Sequence, residues 1–373
     1  MRRERAFLLG SLFHRDLDLP RLRALASDQL DWPWMARAAR PAAVVPLLWN
    51  AVSAAGLETA LPEPTRQALR DEAEANAMQT ALYLATLARV SSALSAAGVE
   101  ALAVKGSPLA IASPGYRPLR HLSDLDLLLR PDAFDAASTA LRGLGARVNA
   151  EERDLDGRLI TGDDLRGFDT NSPASYVLDG VLIELHQDLV GLPGDPLPPI
   201  EPLFARATRA TWRGAEILVP DLADQAGILC LHVLRHHRDE PRLAPRHVAD
   251  LEALRALGAD LTEAARRFDR PGAAPVAESL VLVEAARRGA AERSGLLPGR
   301  CERGLSPGWQ RFAKAKLLLV TKLRLLRGEG RRFLFPPRRY LEARLGEQAR
   351  GVPLPLLHLR RLARAVTRLF RAG

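Results

Sequence analysis

The chain has 373 residues, 47% of them apolar and 26% charged. That is the composition of a globular protein of roughly two to three domains; it excludes wholesale disorder, collagen and a disulfide-knotted mini-protein. The net charge is +9, yet residues 300–373 hold 19 Lys/Arg against 4 Asp/Glu, so a mildly acidic body carries a basic tail. Such a tail suits an anionic partner, although an Ala/Arg/Leu-rich, GC-rich genome accounts for most of the arginines. No apolar run approaches the ~18 residues of a membrane span. The basic start meets Asp16 and Asp18 with no small-residue cleavage site, and Cys230 and Cys301 belong to no CxxC pair. The expectation is a cytoplasmic chain with no signal peptide, transmembrane segment or zinc finger.

Residues 1–98 read as helical, with Leu22–Leu30 and the long Ala/Leu-rich Thr65–Ala97 as examples; Gly98 ends the latter as a C-cap glycine would. The texture changes at Val99. Ala101–Val104 reads as a short strand ending in Lys105-Gly106-Ser107-Pro108, where Ser107 and Pro108 read as N-cap and first residue of a helix over Leu109–Ala112. Gly115–His121 is loop, Ser123–Leu129 a strand with two acids at alternate positions, and Pro131–Leu144 an amphipathic helix. Arg147–Ser175 is polar and irregular, a flexible loop or a decorated insertion. In Tyr176–His186, two β-prone runs joined by Asp179-Gly180 predict a hairpin. Pro193–Pro202 is a proline-rich loop, and Glu216–Val219 one more strand. From Asp221 the spacing predicts helices over Leu222–His237, Arg246–Leu257, Leu261–Phe268, Val276–Arg288, Gly308–Arg327 and Leu359–Phe370, the last with one apolar stripe and one basic face. The domains predicted are a helical region 1–98, a mixed α+β unit 99–220 and a helical domain 221–373 with the basic tail.

The chemistry gathers in the middle unit. On a strand, Asp124 and Asp126 point to one face and Leu125, Leu127 and Leu129 to the other. Two adjacent carboxylates repel unless something neutralises them, and a hard divalent cation, Mg²⁺ or Mn²⁺, is the usual remedy; exposed strand edges also carry such pairs. Leu182, Glu184 and His186 share a face of the second hairpin strand. Glu184 is an isolated acid in an apolar run, which calls for a partner; beside the Asp strand it completes a set of three carboxylates able to hold two metal ions. Gly106 lets backbone approach a phosphate, Ser107 can donate a hydroxyl, and Lys105 either adds charge there or faces away into a structural pair.

This order of elements resembles the nucleotidyltransferase superfamily with the DNA polymerase β-like palm. More closely, it resembles an uncharacterised bacterial nucleotidyltransferase family, through Val104-Lys105-Gly106, Tyr116, Arg120, Ser123-Asp124-Leu125-Asp126 and Glu184-Leu185-His186. His232, His236, Arg246–Leu251, Leu334-Phe335-Pro336 and Leu359-Arg360-Arg361 extend the likeness over roughly residues 80–370. The resemblance implies a small mixed palm flanked by helical regions, and transfer of a nucleotidyl group from an NTP such as ATP with Mg²⁺ or Mn²⁺. Asp124, Asp126 and Glu184 would be metal ligands, with Glu184 as acceptor base. Lys105, Gly106, Ser107 and Arg120 would hold the nucleotide. Better-known relatives carry a second Gly or an Arg-Gly soon after the Gly-Ser; here Pro108-Leu109-Ala110-Ile111 follow. That departure motivates an alternative, a nucleotide- or peptide-binding module on the same fold without turnover.

Other residues are open to two readings. Arg120 either grips phosphate or pairs with Asp124 or Asp126. His186 either adjusts a proton on the acceptor side or orients a neighbour. His232 and His236 have zinc-ligand spacing, but no HExxH is present, and packed or hydrogen-bonded histidines are the favoured reading. The acceptor (protein, peptide, small molecule or RNA) is not legible, and the terminal Arg-rich helix is either an anion-binding surface or a helix packed on the body. Replacing Asp126 by Ala is expected to abolish transfer and to leave thermal stability near that of the wild type.

Overall fold

The computed structural model describes residues 2–27, 29–149, 152–153, 159–160, 174–189, 198–239, 245–269, 274–291 and 351–358. Four short helices open the chain: α1 (Arg2–Gly10), α2 (Leu19–Ala26), α3 (Trp32–Ala39) and α4 (Val45–Ala54). Two start where an aspartate caps free backbone N–H groups: Asp18 accepts from Arg21 N at 3.0 Å and Asp31 from Trp34 N at 2.8 Å, each with a proline in the first turn. The 34-residue α5 (Glu63–Ala96) follows, and Gly98, at φ +72°, turns the chain out of it.

The middle unit comprises β1 (Ala101–Val104), α6 (Gly106–Ala112), β2 (Leu125–Leu129), α7 (Phe134–Gly143), β3 (Arg147–Val148), β4 (Glu152–Arg153), β5 (Leu159–Ile160), β6 (Ala174–Leu178), β7 (Val181–His186), α8 (Glu201–Arg206), β8 (Thr208–Trp212) and β9 (Ala215–Val219). Strands β4 and β5 pair with each other; the remaining seven form one mixed sheet in the order β3-β6-β7-β2-β1-β9-β8. The Asp179-Gly180 hairpin forms as the sequence predicts, with both residues at positive φ (+50° and +82°), the conformation an Asp-Gly turn tolerates. The part of the Arg147–Ser175 segment that is described contains strand pairs, β3 with β6 and β4 with β5, where irregular chain was expected.

The helices α9 (Leu222–Asp239), α10 (Pro245–Ala256), α11 (Leu261–Phe268) and α12 (Pro275–Ala291) follow, and residues 354–358 form a last helical turn. The predicted helices Gly308–Arg327 and Leu359–Phe370, and with them the basic face of the tail, lie outside the described residues, as do the side chains of His236 and His237.

Strand alternation divides the sheet into two faces. Leu125, Leu127 and Leu129 of β2 and Val181, Ile183 and Leu185 of β7 pack with Leu84, Leu87, Val90 and Leu94 of α5 and Phe134 and Leu141 of α7. The other face, through Leu102, Val104 and Leu128, joins a second core. That core contains α1–α4 and α9–α12 together, so the first and last helical regions share one apolar interior. Asp126, Glu184 and His186 alternate with the leucines facing α5 and lie on this second face. Among the described residues, no helix is long and apolar enough to cross a membrane.

Candidate metal and nucleotide site

Strands β2 and β7 run parallel, and Asp126 pairs in register with Glu184. Two residue pairs further along, Leu128 is opposite His186. The i, i+2 spacing of Glu184 and His186 then brings both side chains to Asp126. His186 Nε2 lies 2.8 Å from Asp126 Oδ1 and 3.5 Å from Glu184 Oε2. Lys105, at the end of β1, donates its ammonium to the same Asp126 oxygen. Asp126 and His186 are 3% and 5% exposed, and Glu184 is 17% exposed, so the group opens to solvent on the Glu184 side.

The two aspartates are treated in opposite ways. Burial works against the Asp126 carboxylate, but the Lys105 ammonium and His186 outweigh it and hold the pKa down to about 2. Asp124 sits just before β2, with Ser123 Oγ 3.3 Å away as its hydrogen-bond donor. Burial first, then the neighbouring Asp126 charge, push it up to about 6 against the weaker pull of Lys105. Lys105 and His186 are buried, which disfavours their cations, yet Asp126 overrides this and raises both pKa values. Ligand atoms of Asp126, Glu184 and His186 all lie within 4.8 Å of one another, the single such group of three or more His, Cys, Asp or Glu among the described residues. Two carboxylates and an imidazole in this arrangement suit a divalent ion; the nitrogen donor suits Mn²⁺ better than Mg²⁺.

The tight group thus takes His186 where the sequence placed Asp124. Asp124 precedes the paired residues of β2, so strand alternation does not fix its direction; it remains within electrostatic reach of Asp126, Glu184 and Lys105.

The turn before this group departs from expectation. Helix α6 starts at Gly106, so Ser107 is not its N-cap; Lys105 occupies that position at φ +60°, ψ −115°, and no side chain caps the helix. A β-strand that feeds straight into a helix with its last side chain turned to Asp126 demands that unusual backbone, which costs a non-glycine residue about 1–3 kcal/mol. Ser107 is buried, and its Oγ has no hydrogen-bond partner among the described residues. Gly106 is required by packing: a Cβ there would lie 2.8 Å from Arg120 Nη2 and 2.9 Å from Leu122 Cδ2.

Arg120 pairs with neither Asp124 nor Asp126. Its buried guanidinium donates through Nε to Asp250 Oδ1 at 2.7 Å, and through Nη1 to the His121 carbonyl. Tyr116 OH donates to the same Asp250 oxygen at 2.9 Å, and His14 stacks on the Tyr116 ring at 4.5 Å. These bonds tie the loop ahead of β2 to α10. Asp250 lies inside the Arg246–Leu251 stretch singled out in the sequence, but its partners are more than 100 residues away and only the fold reveals them.

Helix α5 holds the same loop from the other side. Asn76, Gln79, Thr80 and Tyr83, at i, i+3, i+4 and i+7, occupy one helical face. They donate to the carbonyls of Pro118 (2.9 Å), Leu122 (2.7 Å), Arg120 (2.8 Å) and Ser123 (3.0 Å) respectively. Asn76 also meets His121 Nδ1 at 3.0 Å. Sequence reasoning missed this ladder, although four polar residues at helical spacing in an Ala/Leu-rich helix were a signal for it.

The zinc reading pairs His232 with His236, whose side chain lies outside the described residues. His232 meets His247 edge to face at 5.4 Å, and Cys230 is buried, which pushes its thiol up to about 12. A small cavity between the sheet and α9 is lined by Lys105, Leu128, His186, Ile228 and His232, directly behind the acidic group.

With this geometry in place, comparison with known proteins is informative. Residues 28–283 match the family described as "Uncharacterised nucleotidyltransferase". Curated proteins offer no match.

Proposed function

The chain belongs to that uncharacterised nucleotidyltransferase family, and from this premise we propose that it transfers a nucleoside monophosphate from an NTP to an acceptor with release of pyrophosphate. The observation that carries the reading is the in-register placement of Asp126 and Glu184 on neighbouring parallel strands, with His186 completing a half-open acidic group. Acids on two adjacent strands of a mixed sheet, next to a strand-to-helix turn, support a polymerase-β-like palm as the framework.

Asp126, Glu184 and His186 would hold a divalent ion, with Asp124 at its edge. Such an ion supplies Lewis-acid polarisation of phosphoryl oxygens and makes an acceptor hydroxyl easier to ionise. In the reaction an acceptor oxygen or nitrogen forms a bond to the α-phosphorus as the bond from that phosphorus to the β-bridging oxygen breaks. Glu184, the most exposed of the three, takes the acceptor proton, and pyrophosphate leaves with the electron pair. His186 bridges Asp126 and Glu184 and fixes their mutual orientation. Lys105 balances Asp126 and, once displaced from it, is within reach of incoming phosphate. Arg120 holds the loop through Asp250 and so acts on the site by positioning Asp124.

The test is incubation with each α-labelled NTP and Mg²⁺ or Mn²⁺ in cell extract, followed by identification of whatever becomes labelled. Label transfer that disappears in Asp126→Asn and Glu184→Gln is expected. An absence of both transfer and NTP binding in the wild type refutes the reading. One observation favours the alternative of a binding module without turnover: Lys105 and His186 already satisfy Asp126. NTP binding by calorimetry without pyrophosphate release over a broad acceptor screen selects that alternative.

A further inference from the structure

A nucleotide triphosphate needs cations beyond a bound metal, and the cations nearest the acidic group are mostly committed. Lys105 sits on Asp126, and Arg120 is buried on Asp250. Arg117 donates to the Ala110 and Ile111 carbonyls at 2.8 and 3.1 Å and lies over the Trp212 ring at 4.3 Å, so it closes the end of α6. Arg246 differs. It lies in the first turn of α10, half-buried, and makes no hydrogen bond or ion pair among the described residues. Its electrostatic neighbours are Arg120, Asp250, Asp124 and Tyr116.

That position places it within electrostatic reach of Asp124, at the edge of the acidic group. Helix α10 packs on α6, the helix that follows Lys105, and the Arg120–Asp250 pair locks α10 to the loop carrying Asp124. The first turn of a 12-residue helix adds backbone N–H groups and the positive end of the helix dipole. Among the described residues nothing fully offsets the burial of the guanidinium: burial, and then the Arg120 charge, lower its pKa, and Asp250 and Asp124 compensate only in part. A planar guanidinium kept half-buried next to a second guanidinium is relieved by an anion with several oxygens, and phosphate fits the fork.

We propose that Arg246 is a residue of this chain that receives the triphosphate of the nucleotide, a role the family resemblance assigned to Lys105, Gly106, Ser107 and Arg120. This rests on the nucleotidyltransferase reading and deepens it. The ligand chemistry is that of a polyphosphate chain, recognised independently of the base.

The experiment uses the full chain and measures binding of an NTP, inorganic tripolyphosphate and the matching nucleoside by calorimetry with Mg²⁺. Arg246→Gln and Arg246→Lys are compared with the wild type, and thermal melts check that each is folded. Arg246→Gln should weaken NTP and tripolyphosphate binding at least tenfold and leave nucleoside binding within twofold. Arg246→Lys, which keeps the charge and loses the fork, should recover part of the loss. Where turnover is measurable, KM should rise more than kcat falls. NTP and tripolyphosphate affinities within twofold of wild type in both variants overturn the role of Arg246 and leave the nucleotidyltransferase reading standing. Equal losses for the nucleoside and for tripolyphosphate also overturn it, because they report general disruption. A wild type that binds neither NTP nor tripolyphosphate overturns the underlying reading as well.

Discussion

Replacing Asp124 by Asn should stabilise the metal-free protein at neutral pH. The carboxyl is raised from 3.8 to about 6, so its ionised form is disfavoured in the folded chain. Below pH 3.8 it is protonated in both folded and unfolded states and contributes nothing. Between 3.8 and about 6 the unfolded chain ionises first and stability falls as pH rises; above 6 the penalty is complete. About two pH units at ~1.4 kcal/mol each give an upper figure of ~3 kcal/mol, and solvent contact at Asp124 brings this to about 2 kcal/mol. Asn keeps the shape and removes the charge. Urea unfolding in chelator should therefore show the variant more stable than wild type by about 2 kcal/mol at pH 7.5, with little difference at pH 4. Adding Mg²⁺ or Mn²⁺ should narrow the gap, because only the wild type gains from neutralising that charge. A variant no more stable than wild type at pH 7.5, or one with the same gain at pH 4, refutes the reasoning.

Asp126 should behave in the opposite sense, against the sequence-based expectation that it can be removed without a stability cost. Asp126→Asn strands Lys105 and His186 beside a neutral amide, and removing one partner of a buried pair costs about 3–5 kcal/mol; an unchanged melting temperature at pH 7 would contradict this. Because the Asp126 pKa falls from 3.8 to about 2, its stabilisation holds above pH 3.8 and is lost as pH drops towards 2, an acid limb that the Asn variant should lack in urea titrations. Gly106→Ala drives a methyl into the Arg120 guanidinium, itself held on Asp250, and overpacking of this kind costs about 1–3 kcal/mol; a wild-type melting curve argues against the tight contact. Thr80→Val removes the buried bond to the Arg120 carbonyl at about 1 kcal/mol, and faster amide exchange confined to residues 117–123 is the expected signature, whereas unchanged exchange there would show that α5 does not clamp the loop.

Much of the middle unit was legible because its signals are local. Alternation in Leu125–Leu129 and Val181–His186 exposes the acids, and Asp179-Gly180 has few structural uses other than a tight hairpin. The long α5 and the helices after Asp221 follow from apolar periodicity, with Leu261–Phe268 matched at both ends and no end off by more than three residues. Strand β8 was missed because Thr208–Trp212 is a polar edge strand whose exposed face carries no core pattern. What local signals cannot carry is the partner of a buried charge. Asp250 takes Arg120 across 130 positions, and nothing near either residue predicts it. The same holds for His186, whose bond to Asp126 depends on a parallel register between strands 60 positions apart. Glycine at 106 looked like room for a ligand; the room is filled by the chain's own arginine.

The shared interior of the first and last helices has a practical consequence for dissecting this protein. The family match starts at residue 28, beyond α1 and α2, yet Phe7 and Leu12 are fully enclosed and Arg287 of α12 covers the Phe13 ring at 4.6 Å. A fragment cut at the edge of the match would strip a wall from the compartment that seats α12, and with it Arg15, which donates to the Ala256 carbonyl at the far end of α10. Evolutionary boundary and folding unit therefore do not coincide, and the amino terminus is a structural buttress for the helices that close over the sheet.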